Sequence, residues 1–338
     1  MRRTTKTDSD WRAGLLADPI EPLLGCGDPA VILATERDLL GKRRSAQILW
    51  ELPEVARILR RQQPDGSWLY AGNQPGLAFG EDYAQLETYR RFAQLLVIYG
   101  MDRRHPAIEN AAEYFFARQT SEGDFRGIYG RQYSPNYSAG IAELLIAAGY
   151  ADDERLDLCH RWLLFMRQDD GGWAIPWRTQ GRNIQTAMAA PLPLEPERSR
   201  PSSHLVTGVV LRAFAAHPGY RSSEAARRAG VLLVSRFFER DAYPDRGSAD
   251  FWKKIMFPFW FTDIVSALDA LGRLKPVRTS EKVSQALDWL RGRQGKDGVF
   301  RVYILKNRSV PNLEFWISLA ICRVLRLWCG CATPLPRR

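Results

Sequence analysis

Five stretches of this chain share one grammar, and that repetition limits the fold more than any other feature. They are 56–68 (ARILRRQQPDGSW), 112–125 (AEYFFARQTSEGDF), 159–173 (CHRWLLFMRQDDGGW), 231–243 (VLLVSRFFERDAY) and 286–300 (ALDWLRGRQGKDGVF). Four of them run from an apolar helical segment to Gln, then a short polar turn with Gly, then an aromatic. The fourth, ending at Tyr243, lacks the Gln and the Gly. Each mark has a physical reason. Val283, Ala286, Leu287 and Leu290 fall on one face of a helix. The Gly ends that helix, because it accepts the left-handed conformation. The Gln side chain reaches orphan backbone groups at a neighbouring helix end. The aromatic then covers the apolar edge of the turn.

A second helix of different character follows each mark, over 83–100, 135–149, 202–217, 258–274 and 312–328. These are apolar around most of their circumference, as in LVTGVVLRAFAA, so they are buried on all sides. The chain therefore alternates amphipathic helices with wholly apolar ones. Two concentric layers satisfy that alternation, amphipathic outside and apolar inside. With a helix over 29–40, the expectation is an all-α toroid of about eleven to twelve helices. One domain spans 29–330, with an insertion at 174–201, an N-terminal extension over 1–28 and a tail over 331–338.

The run from Arg61 to Trp68, and the similar run from Arg167 to Trp173, resembles the QW motif of squalene–hopene and related triterpene cyclases. It also resembles the repeats in the β subunits of protein prenyltransferases. The segment from Asp28 to Gly41 looks like the entry segment of small prokaryotic squalene cyclase-like proteins. The likeness spans roughly residues 46–328 and implies an α/α toroid around a central cavity for an isoprenoid or similar hydrophobic ligand.

The chemical motifs of that superfamily are absent. No Asp-x-Asp-Asp occurs to hold a protonated acid. Asp169-Asp170 lies in a Gly turn, where turn chemistry alone places acids. Asp152-Asp153-Glu154 reads as a helix cap, and with Asp157 it misses the magnesium-binding Asp-Asp-x-x-Asp by one residue. Asp157-Leu158-Cys159-His160 has zinc-like composition, but Cys159 shares the apolar face of Leu156 and Leu163. Gly25-Cys26-Gly27-Asp28-Pro29 resembles a thioester motif, yet position 29 is Pro where the acceptor Gln belongs. No metal and no cofactor are expected.

Net charge is +10, and 40 of the 48 basic residues are arginine. That balance suits a diphosphate or an anionic membrane surface, and peripheral membrane contact fits it. No nucleic-acid partner is expected, and the oligomeric state is not set by the sequence. No segment approaches the apolar length of a membrane span, and no apolar stretch follows Met1-Arg2-Arg3. Five cysteines without zinc spacing fit reduced, packed thiols in the cytoplasm.

Candidate site residues are polar or aromatic groups in the first turns of the inner helices. An acid or His on a greasy helix must shift its pKa or find a partner. Asp263, His204 and Glu87 are the acid–base candidates, although Arg90 and Arg91 stand at i+3 and i+4 from Glu87. Tyr137, Trp260 and Trp316 are candidate aromatic walls for a cationic or apolar ligand. Arg301, Lys306 and Arg308, followed by Glu314, echo the basic loop and inner-helix start that prenyltransferases use for diphosphate. The readings carried forward are three: a terpene-cyclase-like or prenyl-transferring enzyme, a non-catalytic toroid that binds a hydrophobic ligand or partner protein, and a carbohydrate-active α/α barrel with Asp82 and Asp263 as paired carboxylates.

Overall fold

The helix starts are written locally in the sequence. Asp28 accepts from the amides of Ala30 and Val31 ahead of Pro29, Asp153 accepts from Arg155, and Ser203 accepts from Val206. Asp263 and Ser266 form a reciprocal capping box. The computed structural model describes residues 11–71, 82–259, 261–274, 280–305 and 310–329. Among them the chain is all-α. The helices are α1 (Ile20–Leu24), α2 (Pro29–Asp38), α3 (Pro53–Leu59), α4 (Tyr83–Val97), α5 (Pro106–Phe116), α6 (Pro135–Leu145), α7 (Glu154–Phe165), α8 (Pro176–Thr179), α9 (Ile184–Met188), α10 (His204–Ala216), α11 (Glu224–Ser235), α12 (Ile264–Arg273), α13 (Glu281–Arg291) and α14 (Leu313–Cys329). The only strands among the described residues are Lys254–Ile255 and Tyr303–Ile304, paired in parallel. Three short helices beyond those expected lie at the start (α1) and inside the 174–201 insertion (α8 and α9).

The two helix characters separate as their patterns require. On α13 only Val283, Ala286, Leu287 and Leu290 are buried, the stripe read from the sequence. On α10 every residue over 204–215 is buried. The enclosed helices follow one another around the molecule: α4 packs on α6, α6 on α10, α10 on α12, α12 on α14, and α14 on α2. Past the end of α4, Gly100 lies against Ala46 and Arg37, which returns the sequence of contacts to α2. The half-polar helices pack outside their partners, α5 on α4, α7 on α6 and α11 on α10.

The marks act as clamps between successive outer helices. Gln62 Nε2 donates to Gly66 O (3.0 Å) and to Ala107 O in the first turn of α5 (2.8 Å). Gln119 does the same to Gly123 and to Arg155 in α7 (2.9 and 2.7 Å). The turns need glycine where they meet the next helix. Gly66 has φ +87°, and a Cβ there would stand 2.2 Å from Asn110 O of α5. Behind each turn, the aromatic's backbone N–H donates to a hydroxyl on the inner helix. Trp68 uses Thr88, Phe125 uses Ser138, Trp173 uses Thr207 and Phe300 uses Ser318, at 2.9 to 3.1 Å. The indoles of Trp68 and Trp173 donate to Ile58 O and Leu163 O, closing their own outer helices.

The fourth mark differs from its sequence reading. Tyr243 donates to Pro201 O at the surface. Trp252 instead fills the indole position, donating to Glu239 O at 3.1 Å while buried. Without Gln and Gly the turn lengthens, and the aromatic arrives nine residues later. The following inner helix starts at Ile264 rather than near Pro258, where Asp263 and Ser266 form the capping box that begins it.

Candidate functional site

The faces of the inner helices that meet in the middle carry two unlike halves. At the helix starts they are aromatic. The half-buried Tyr137, in the first turn of α6, lies edge-on to Tyr89 of α4 (6.1 Å between ring centres) and to Tyr129 (5.2 Å). Tyr129 continues edge-on to Trp177 in α8 at 5.0 Å. Phe257 stacks on Trp316 of α14 at 5.3 Å, and Arg246 lies 3.8 Å over the Phe261 ring.

Toward the helix ends the same faces are ionic. Arg212 of α10 donates through Nε to Glu143 of α6 at 2.9 Å. Its charge also bears on Tyr89 of α4 and on Asp263 at the start of α12. Arg273 of α12 pairs with Asp269 (2.8 Å) and is influenced in turn by Glu143 and by Asp38 of α2. Asp38 is held by Arg37 (2.6 Å) and by Arg323 of α14. Burial works against charge on Arg212, but Glu143 and the neighbouring oxygens outweigh it, so the guanidinium stays charged. Burial pushes the Tyr89 hydroxyl well up, against a smaller lowering by Arg212.

Asp263 stands between these halves. It is 1% exposed, and burial pushes its carboxyl up to about 6 against lowering by backbone amides and by Arg212. Its two oxygens accept from Ser266 N (2.9 Å) and Met256 N (3.4 Å). The Met256 contact ties Asp263 to the loop that carries Phe257, and so to Trp316. Trp316 itself is fully buried on that stack.

The other expected residues lie elsewhere. His204 is buried with its Nδ1 3.3 Å from Asp241 Oδ2, out of line for a hydrogen bond, and its ring packs 4.5 Å from Trp252. Burial lowers its pKa, with Asp241 raising it and Arg236 lowering it further. Asp241 also accepts from Ser203 Oγ and Leu205 N. This cluster fastens the start of α10 to the fourth mark. Glu87 is bound by Arg91 (2.8 Å) and Arg90 (3.4 Å) on its own helix. Asp82 caps α4 and binds Arg118 at 3.1 Å, so its carboxylate is engaged apart from Asp263. Arg301 is exposed and braces its turn on Asp297 at 2.6 Å, and Glu314 is exposed in the first turn of α14. Trp260, Lys306 and Arg308 lie outside the described residues.

Sequence reasoning missed Arg212, Glu143, Tyr89 and Arg273. For Arg212 the signal was present: one arginine inside LVTGVVLRAFAA, a run otherwise built for complete burial.

No known family profile matches the chain, and no curated protein matches it. Among solved structures it is similar to the type II terpene cyclase MstE from Scytonema. An arginine-to-alanine variant of that enzyme, in complex with geranylgeranyl dihydroxybenzoate (substrate), matches with a TM-score of 0.45 and 12% identity over 88% of this chain and 86% of that one. An aspartate-to-asparagine variant with the same substrate gives a TM-score of 0.39 and 14% identity over 82% and 95%. A protein from Actinoplanes gives 0.32 and 14% over 84% and 99%. No described helix is long and apolar enough to cross a membrane.

Proposed function

We propose that this chain is a terpene-cyclase-like ring protein that takes an isoprenoid or similar hydrophobic molecule among the starts of its inner helices. The observation that carries this reading is the unbroken run of ring contacts Tyr89–Tyr137–Tyr129–Trp177, which leads from buried Tyr89 through half-buried Tyr137. Such rings offer apolar area and a negative face to an alkene or a cation. Binding is tested by extracting lipid from the purified protein and identifying it by mass spectrometry. Recovery of isoprenoids is expected. Their absence, together with no effect of added prenyl alcohols on intrinsic tryptophan fluorescence, rejects the proposal.

A catalytic form of this reading is favoured by one observation, the raised carboxyl of Asp263 beside the Phe257–Trp316 stack. A buried acid near pH 6 is poised to donate a proton to an alkene. In the non-catalytic form the same carboxyl serves as the cap of α12 and the ring holds a ligand or partner unchanged. Asp263→Asn keeps the cap and removes the proton. Loss of product from a prenyl substrate by a variant that stays folded at the assay pH supports catalysis by Asp263, an unaltered product assigns the acid to another residue, and no product from the native chain supports binding alone. His204, Glu87 and Arg301 take no part in this proposal, because each is engaged in fastening its own helix or turn.

A further inference from the structure

Arg212 carries five N–H donors, and only one has an acceptor among the described residues. Nε–H is on Glu143, while Nη1 and Nη2 have no hydrogen-bond partner. The side chain is 3% exposed, so these donors are removed from bulk water. A buried guanidinium left with open donors is costly and calls for oxygen acceptors. Its position is specific. Its charge bears on Tyr89, whose ring meets Tyr137 at the buried end of the aromatic run. Its charge also bears on Asp263, which is tied through Met256 to the loop that carries Phe257.

The surrounding charge decides what kind of oxygen fits. The ionisable groups that bear most on Arg212 are Glu143 and Asp263, two carboxyls facing one guanidinium, with the neutral hydroxyl of Tyr89 beside them. An incoming carboxylate or diphosphate would add to a side that already carries the excess of negative groups. An uncharged oxygen, as in an alcohol, ketone or quinone, accepts from Nη without that repulsion. The geometry points to Arg212 as the head-group donor for an uncharged, oxygen-bearing isoprenoid, its chain lying along the Tyr89–Tyr137–Tyr129 rings. This rests on the reading that the ring takes a hydrophobic ligand, and it names the class of that ligand.

The test compares three probes of one length on the full chain: geranylgeraniol, the corresponding C20 hydrocarbon, and geranylgeranyl diphosphate. Dissociation constants are read from tryptophan fluorescence. Geranylgeraniol is expected to bind about ten-fold more tightly than the hydrocarbon, the scale of one hydrogen bond to a charged donor, and more tightly than the diphosphate. Arg212→Met is expected to bring the alcohol to the hydrocarbon's affinity while leaving the hydrocarbon unchanged. The double variant Arg212→Met with Glu143→Met, which removes both partners of the ion pair, gives the same readout should the single variant not fold. Equal binding of alcohol and hydrocarbon by the native chain overturns the inference but leaves the hydrophobic-ligand reading standing. So does an alcohol preference that survives the substitution, or tightest binding of the diphosphate. Failure of all three probes to bind overturns both.

Discussion

Arg212 and Glu143 form an ion pair at 2.9 Å in which one partner is enclosed and the other open: the arginine side chain is 3% exposed and the glutamate 27%. The asymmetry sets different consequences for losing each partner. Without Glu143 the guanidinium remains inside with its main counter-charge gone. Without Arg212 the carboxylate can turn to water. Glu143→Leu is therefore expected to lose about 3 kcal/mol, in the range for breaking a buried pair, and Arg212→Met less than half of that. Urea denaturation of the two variants checks the order, and an equal or reversed loss refutes it.

Asp263 gives the stability of the chain an unusual slope with pH. Its carboxyl titrates at about 6 in the folded chain and near 3.9 when unfolded. The folded state thus holds the extra proton between these values, so this group's contribution is fullest below about pH 4 and is lost as pH rises through 6. Asp263→Asn removes the term. The variant's stability relative to the native chain is expected to rise by about 2 to 3 kcal/mol between pH 4 and pH 7. A difference that stays constant over that range contradicts the assigned environment.

Gln294 fastens the last mark to the beginning of the chain. Its carbonyl accepts from Leu16 N (2.7 Å) and Ala17 N (3.3 Å), and its amide donates to Ala17 O (2.9 Å) and Gly298 O (3.1 Å). At about 1 kcal/mol net for each bond between partners, Gln294→Ala should cost about 2 to 4 kcal/mol. It should also expose residues 11–19 to limited proteolysis. Cleavage there at the native rate would show that the segment is held by other contacts.

Gly66 has both a left-handed backbone and a carbonyl of α5 where a side chain would begin. Gly66→Ala is expected to lose more than about 1 to 3 kcal/mol, the cost of the backbone conformation alone, because the turn must also withdraw from Asn110. Gly181 has φ +68° with open space around it, so Gly181→Ala meets the backbone cost without the collision. Thermal denaturation of the pair separates the two effects, and equal losses would refute the close approach.

What could be read from the sequence was local. The apolar stripe of α13, the cap at Asp153, and the Arg90/Arg91 engagement of Glu87 all depend on residues within one or two turns. The Gln–turn–aromatic marks were visible for the same reason. Their inner-helix partners were not, since Thr88, Ser138, Thr207 and Ser318 lie 13 to 34 residues from the amides they accept. Nothing in a lone hydroxyl on a helix announces such a partner. The place of Trp252 in the fourth mark was hidden because that mark lost the residues that set its length. Arg212 was averaged into an apolar run, and its meaning depends on α4, α6 and α12 converging on it. Asp263 was legible as a residue but not as a link, because its bond to Met256 comes from a loop shaped by pairing with Tyr303–Ile304.

The clasp at Gln294 joins groups 278 residues apart in the chain. During synthesis, Leu16 and Ala17 leave the ribosome long before their partner exists, and they must wait for nearly the whole polypeptide to emerge. Contacts of such separation raise the contact order and slow the final step of folding. The early helix pairs can assemble as they are made, but the circle is completed only once the last outer helix is free to dock.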